Sequence, residues 1–319
     1  MVDQVEGRSR RTPRAPMLGG HDVRSRFGTR GEDRMGMLEG KVAFITGGAR
    51  GQGRAHAITC AREGADVVIV DVVSDVVDTT YGLATADDHA ETAKLVREHG
   101  RRVVDVEADV RDQAALDAAV ARAVDELGHI DIVIANAGIH AFAPFWELTE
   151  EQWDAMIGIN LTGVWKTIKA ATPHLIERGS GSIVVTASVN GLEATANFTH
   201  YVAAKHGVIG LAKNIALELA PHGIRCNSIS PGATLTAMTD NQVFYDWFAG
   251  HEGGTRDDLI AGGHHYGAVK GTSFIDPQAM ADTALYLNSD LAANVTGQNI
   301  AVDNGHLLLP GANPVGTGS

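Results

Sequence analysis

The sequence predicts an α/β protein, a single doubly wound parallel sheet with helices on both faces. Three observations predict it. Short Val- and Ile-rich runs recur between residues 41 and 303, of the length that suits strands covered on both sides. Between them, apolar residues are spaced three and four apart, the period of a helix with one buried face. The two patterns alternate, and parallel neighbours joined by helical crossovers are the compact solution for such a chain. A length of 319 residues fits one large domain of this kind.

The first strand is read at residues 41–45, followed by the turn Thr46-Gly47-Gly48-Ala49-Arg50-Gly51-Gln52-Gly53 and a helix over 54–63. A second strand, 65–70, ends at Asp71. Residues 72–88 interrupt the alternation as an insertion, and a helix starts at His89. The third strand is placed at 102–106. Ala115, Leu116, Ala119, Val120, Ala123, Val124 and Leu127 then mark a helix face. The run 130–135 leads into Asn136-Ala137-Gly138. Leu161, Val164, Ile168 and Leu175 mark the next helix, which Pro173 should kink. A strand over 183–187 ends at Ser188, and Val208, Ile215 and Leu219 mark the helix that carries Tyr201 and Lys205. Strands at 224–229 and 298–303 close the pattern. Between them, residues 239–275 are irregular, with Phe244, Tyr245, Trp247 and Phe248 set among glycines. Such a segment suits either an apolar lid with glycine hinges or an aromatic helix packed on a neighbouring subunit.

Composition narrows the function. The formal net charge is −13. Residues 1–36 hold eight Arg and five acids, a net +3, so the remainder carries −16. An acidic body argues against nucleic acid as a partner. No apolar run reaches the length of a membrane span. The Arg-, Gly- and Pro-rich residues 1–36 lack periodicity and are expected to be disordered. They also lack the apolar core of a signal peptide, so a cytoplasmic location is expected for the domain over 37–319. Cys60 and Cys226 are read as small buried residues rather than a disulfide. No Cys/His grouping has metal-ligand spacing, and the adjacent His264 and His265 do not make one.

Two groups of residues carry chemistry. A strand, a glycine turn and a helix open a Rossmann-like dinucleotide-binding unit, in which backbone N–H groups at the helix start meet a pyrophosphate. Asp71, at the end of the second strand, suits the ribose hydroxyls and would repel a 2′-phosphate; Arg50 in the turn could pair with that phosphate. Asp71 faces the ribose more directly, so NAD is expected over NADP. The second group is Ser188, Tyr201 and Lys205. Four residues apart on a helix, the phenol and the ammonium share a face. A nearby cation favours the phenolate, so Lys205 is expected to lower the pKa of Tyr201. Ser188 is placed to hold an alcohol oxygen against that phenol.

Together these motifs resemble the short-chain dehydrogenase/reductase family. The turn from Thr46 to Gly53 is similar to its Thr-Gly-x-x-x-Gly-x-Gly; Asn136-Ala137-Gly138 is similar to its Asn-Ala-Gly signature; and Asn160, Ser188, Tyr201 and Lys205 to its catalytic tetrad. Asp109-Val110 resembles its adenine-contacting pair, and Pro231-Gly232 with Thr236 its nicotinamide-facing segment. The resemblance covers about residues 38–310. It implies an oxidoreductase that moves hydride between a secondary alcohol and NAD. Tyr201 would be the acid/base, Lys205 would also bind the nicotinamide ribose, and Asn160 would relay protons. Cofactor contacts are expected at Gly47, Arg50, Gly51, Gln52, Gly53, Asp71, Asp109, Val110, Asn136, Ala137, Gly138, Tyr201, Lys205, Pro231, Gly232 and Thr236. The family implies a homotetramer and a substrate lid over 239–275, and its pattern puts His140 and Trp146 beside the pocket. The insertion 72–88, with Gly51-Gln52-Gly53-Arg54, resembles the carveol-dehydrogenase-like, mycofactocin-coupled group. That implies a small apolar alcohol or ketone as substrate, tightly held NAD, and a redox partner that recycles the bound NADH. An ordinary dehydrogenase with exchangeable NAD(P) and a non-catalytic dinucleotide sensor are the alternatives, and the sensor is disfavoured by the presence of both Tyr201 and Lys205.

Overall fold

The computed structural model describes residues 36–75, 79 and 81–309. The expected disorder of the N-terminal extension therefore falls, Gly36 apart, outside the described residues. Seven strands form one parallel sheet: β1 (Val42–Thr46), β2 (Asp66–Asp71), β3 (Val103–Glu107), β4 (Ile132–Ala135), β5 (Gly181–Thr186), β6 (Ile224–Pro231) and β7 (Asn299–Val302), in the order 3-2-1-4-5-6-7. The helices are α1 (Gly51–Arg62), α2 (Ala86–Glu98), α3 (Gln113–Leu127), α4 (Glu150–Ile157), α5 (Gly163–Arg178), α6 (Thr199–Leu219), α7 (Gln242–Ala249), α8 (Arg256–Gly263) and α9 (Pro277–Asn288).

The period of two along a strand divides the core in two. On one face, Val42 and Phe44 of β1 and Val133 of β4 pack with Leu116 and Val120 of α3, Leu175 of α5 and Val208 of α6. On the other, Ala43 and Ile45 of β1 and Ile134 of β4 pack with Ala57 of α1, Val96 of α2 and Met280 of α9. Both Cys60 and Cys226 are free and buried in these layers. Among the described residues, no helix is long and apolar enough to cross a membrane.

Three elements differ from the sequence reading. Helix α2 starts at Ala86, not His89, because Thr85 and Asp88 form a reciprocal cap: Asp88 N–H donates to the Thr85 hydroxyl at 3.1 Å, and Thr85 N–H to the Asp88 carboxylate at 3.0 Å. Helix α5 runs from Gly163 to Arg178 with Pro173 inside it, and Leu161, read as part of the same helix, falls in the turn before it. A π-helical turn, Gly158–Thr162, precedes it. The irregular 239–275 segment contains α7 and α8, started by side-chain caps from Asn241 and Thr255.

The chain order reverses between β1 and β4. The turn after β1 leads out toward β2, whereas β4 leads the other way, and the crevice at such a switch point is where doubly wound sheets bind ligands.

Candidate active site

The loops that follow the first six strands enclose a cleft of about 430 Å³. Its first half is built by the glycine turn. Gly47 has φ +65°, and a Cβ there would lie 2.8 Å from the Ala137 backbone, so only glycine lets the turn pass the end of β4. Asn136 ties the two together, its amide donating to the Thr46 and Gly47 carbonyls at 3.2 Å each while its oxygen accepts from the Thr186 hydroxyl at 3.2 Å. Gly53 is not at the cleft. A Cβ on it would meet the Gly47 carbonyl oxygen at 1.9 Å, so this glycine lets α1 lie on the turn.

The start of α1 has neither a side-chain cap nor an acidic residue in its first turn. Gly51 and Gln52 line the cleft there, and free N–H groups at a helix start suit an anion such as a pyrophosphate. The buried amide oxygen of Gln52 has no hydrogen-bond partner among the described residues. Asp71 accepts from Ala49 N–H and Val72 N–H, both at 2.9 Å, which fixes its carboxylate at the cleft edge. Arg50 also lines the cleft, and its guanidinium donates to the Gly82 carbonyl of the insertion. Asp109 is gripped by Arg111 at 2.6–3.1 Å. Burial raises its pKa, but the hydrogen bonds and charge of Arg111 outweigh burial and hold the carboxyl below its usual range.

The second half gathers the proton-handling groups. Ser188 lies two residues beyond β5, where its Oγ accepts from Asn190 N–H at 3.1 Å. Tyr201 and Lys205 are both buried on α6. The Lys205 ammonium lies 5.6 Å from the Tyr201 ring centroid and donates to the Thr186 carbonyl at 2.8 Å. Asn160 hangs from the π-turn, with Oδ1 accepting from Ile139 N–H at 3.0 Å and Nδ2 donating to Ile139 O at 2.9 Å. That turn shifts Asn160 without any change in composition, and such π-turns recur at functional sites. Burial pushes the Tyr201 phenol up to about 12, against the pull of the nearby Ser188 hydroxyl. Burial likewise pushes the Lys205 ammonium down to about 8. The expected lowering of the phenol is not seen, because removal from water outweighs the Ser188 hydrogen bond.

Val110, Gly138, Pro231, Gly232 and Thr236 also line the cleft. Its remaining wall is aromatic: Phe198, Phe244, Trp247, Phe248 and Tyr266, with Phe142 packed behind Phe198 and Phe244. His140 sits in this group with its ring 4.9 Å from that of Tyr201, and burial lowers its pKa to about 3, so the imidazole is neutral. One expected neighbour, Trp146, and one aromatic of the 239–275 segment, Tyr245, are elsewhere. Trp146 is 71 % exposed against Phe145, and Tyr245 turns to Asp240, donating to its carboxylate at 2.6 Å. Sequence reasoning missed several groups that the fold brings in. Tyr81 reaches from the insertion, its hydroxyl accepting from His140 N–H at 3.1 Å. Glu193 and His306 also line the cleft, with His306 Nε2 at 2.6 Å from Glu193 Oε1. No local pattern could signal that pair, which lies 113 residues apart in the chain.

The arrangement can hold a dinucleotide along the glycine turn and exchange a proton with an alcohol oxygen at Ser188 and Tyr201. The pattern that defines the short chain dehydrogenase family matches residues 41–244. The chain is 48 % identical over 279 residues to a (−)-trans-carveol dehydrogenase of Rhodococcus erythropolis, covering 86 % of this chain and all of that one. It is 42 % identical over 278 residues to an uncharacterized NAD-dependent oxidoreductase of Mycobacterium tuberculosis, covering 86 % and 98 %. Among solved structures, the carveol dehydrogenase of Mycobacterium avium in complex with NAD superposes with a TM-score of 0.84 at 42 % identity, over 86 % of this chain and all of that one. A short chain dehydrogenase of Mycobacterium paratuberculosis bound to NAD gives 0.78 at 38 % identity, over 86 % and 100 %.

Proposed function

The chain belongs to the short-chain dehydrogenase/reductase family, and from that premise we propose that it is an NAD-dependent dehydrogenase of secondary alcohols, reversible as a carbonyl reductase. The observation that carries this reading is the convergence of Ser188, Tyr201 and Lys205 on one end of a cleft whose other end is an uncapped helix start. NAD, when bound, takes up the carbinol hydrogen with its electron pair. The glycine turn and the first N–H groups of α1 hold its pyrophosphate, and Asp71 accepts from the adenosine ribose. Asp109, Val110, Asn136 to Gly138, Pro231, Gly232 and Thr236 line its path. Ser188 donates a hydrogen bond to the substrate oxygen and fixes it against Tyr201. The phenolate of Tyr201 takes the hydroxyl proton during oxidation, and the phenol returns it during reduction. Lys205 holds the nicotinamide ribose, and Asn160, anchored on Ile139, keeps the proton path open to water.

The aromatic wall favours a mostly apolar substrate, and the similarity to a carveol dehydrogenase supports a cyclic terpenoid alcohol. The insertion supports tight retention of NAD. Tyr81, Leu83 and Ala84 line the cleft, clasped by Arg50 on Gly82 and by His140 on Tyr81. A strap of this kind must open before the cofactor leaves, so an external redox partner would recycle NADH in place, as in mycofactocin-coupled enzymes. Residues 239–275, with α7 and α8, form the substrate lid, and the enzyme acts as a cytoplasmic homotetramer. The test is exhaustive dialysis followed by measurement of residual nicotinamide and a panel of secondary alcohols assayed with a dye acceptor. Retained cofactor and dye-dependent turnover are expected. Loss of all nicotinamide, with turnover on free NAD, would establish the exchangeable alternative instead.

A further inference from the structure

Within the cleft, Glu193 and His306 form a short acid–imidazole pair. His306 is buried; its Nδ1 lies 2.9 Å from the Tyr266 carbonyl oxygen and its Nε2 2.6 Å from Glu193 Oε1. A carbonyl only accepts, so Nδ1 carries a proton, and a second proton on Nε2, donated to the Glu193 carboxylate, makes the ring an imidazolium. It stacks on the Tyr266 ring at 3.8 Å and 9°. Burial works against this charge, but the bonds to Glu193 and Tyr266 outweigh burial and raise the pKa of His306 above its ordinary value.

Such a pair contributes little stability by itself, since taking both charges out of water offsets their attraction. Its asymmetry is informative. His306 has both nitrogens saturated, whereas Glu193 uses only Oε1, and no donor among the described residues reaches Oε2. The Glu193 side chain stays 30 % exposed on the cleft. Three segments hold it there: the loop after β5, the stretch after α8 that carries Tyr266, and the turn after β7 that carries His306. A carboxylate oxygen fixed in an apolar cleft, with its partner imidazolium already spent, is a prepared acceptor.

We propose that Glu193, oriented by His306, is a specificity-determining residue that accepts a hydrogen bond from a second hydroxyl on the substrate alcohol, away from the reacting carbinol. The assignment rests on the dehydrogenase reading of the cleft. It defines the substrate class as alcohols with a second hydroxyl on an apolar skeleton. A site that bonds a hydroxyl discriminates strongly against the analogue lacking it, because its own polar group is then left bare in the closed cleft.

Cyclohexanol and the 1,2-, 1,3- and 1,4-cyclohexanediols test this with the NAD-loaded enzyme. At least one diol is expected to exceed cyclohexanol by ~10-fold or more in kcat/KM, with that ratio falling toward unity in E193A. No diol advantage, or an advantage that survives E193A, overturns the proposal. If E193A does not fold, E193Q keeps the volume and should lower the same ratio by about 3-fold or more through loss of the charge-assisted bond. Calorimetric titration of the four alcohols into the NAD-loaded Tyr201→Phe variant reads the preference without turnover. A diol preference there that depends on Glu193, in an enzyme that oxidises none of the four, counts against the dehydrogenase reading and leaves Glu193 only as the group that binds the second hydroxyl. Equal binding and equal turnover of all four does the reverse.

Discussion

Tyr201 stands between two opposing demands. It must be dry enough to exclude competing water, and burial then pushes its pKa up to about 12. At neutral pH it is therefore a phenol, ready to protonate a ketone oxygen and poorly charged for oxidation. The signs follow. Alcohol oxidation uses the phenolate, so kcat/KM in that direction should climb steeply from about pH 6 toward 8. Above that, Lys205, pushed down to about 8, loses the cation that favours phenolate, and the climb should level off. Ketone reduction uses the phenol and should stay flat over the same range. A flat oxidation profile from acid to neutral pH would remove Tyr201 from the reaction. Tyr201→Phe should cost at least ~100-fold in turnover while leaving NAD affinity within a few-fold, as read by fluorescence titration. Near-normal turnover in that variant would end the proposed mechanism. Asp71 should govern cofactor choice through its place on the ribose side of the cleft. Asp71→Ser is expected to narrow the preference for NAD over NADP by ~10-fold or more in kcat/KM, because it removes the charge that repels a 2′-phosphate. An unchanged ratio would place the ribose elsewhere.

At the scale of elements, the insertion carries the proposed retention of NAD. Its two clasps, Arg50 on the Gly82 carbonyl and His140 N–H on the Tyr81 hydroxyl, hold it against the cleft. Arg50→Ala combined with Tyr81→Phe should speed NADH release by ~10-fold or more, since each lost bond contributes on the order of 1 kcal/mol. Stopped-flow displacement measures it, and an unchanged release rate would mean the strap does not gate exit. The elements also show which parts of the site could be read from sequence. β1, β4 and β5 are covered on both faces, so their apolar runs mark them to within a residue or two. The glycine turn was legible because its glycines answer to a backbone approach, not to a neighbour's side chain. The π-turn under Asn160 was not, because moving a hydrogen bond by one residue leaves the apolar spacing intact. α7 and α8 are short and set among glycines, which hid their bounds, although Phe244, Trp247 and Phe248 of α7 do share one helical stripe that faces the cleft. The meeting of Glu193 with His306 is set only by how the sheet brings the end of β7 beside the loop after β5.

The whole molecule leaves large apolar residues uncovered on neighbouring helices: Trp153 of α4 is 40 % exposed, Trp165 of α5 43 % and Leu217 of α6 74 %. Apolar side chains exposed together on one side of a protein mark a surface that another chain can cover, and α4, α5 and α6 pack on the same face of the sheet. α5 and α6 pack together beneath the active site, with α6 carrying Tyr201 and Lys205 on its inner side, so pairing of subunits there would stiffen the helix that holds the proton-handling groups. This is the physical content of the expected tetramer. The double substitution Trp165→Glu and Leu217→Glu sets two carboxylates on that surface, where desolvation and their mutual repulsion oppose association. Light scattering should give a tetramer mass for the unaltered enzyme and a dimer or monomer for the variant. Turnover in the variant should fall together with the thermal stability of α6, while the chain keeps its secondary structure by circular dichroism. An unaltered enzyme that runs as a monomer at micromolar concentration would show that these side chains face water for another reason, and that α6 holds Tyr201 in place through the sheet beneath it alone.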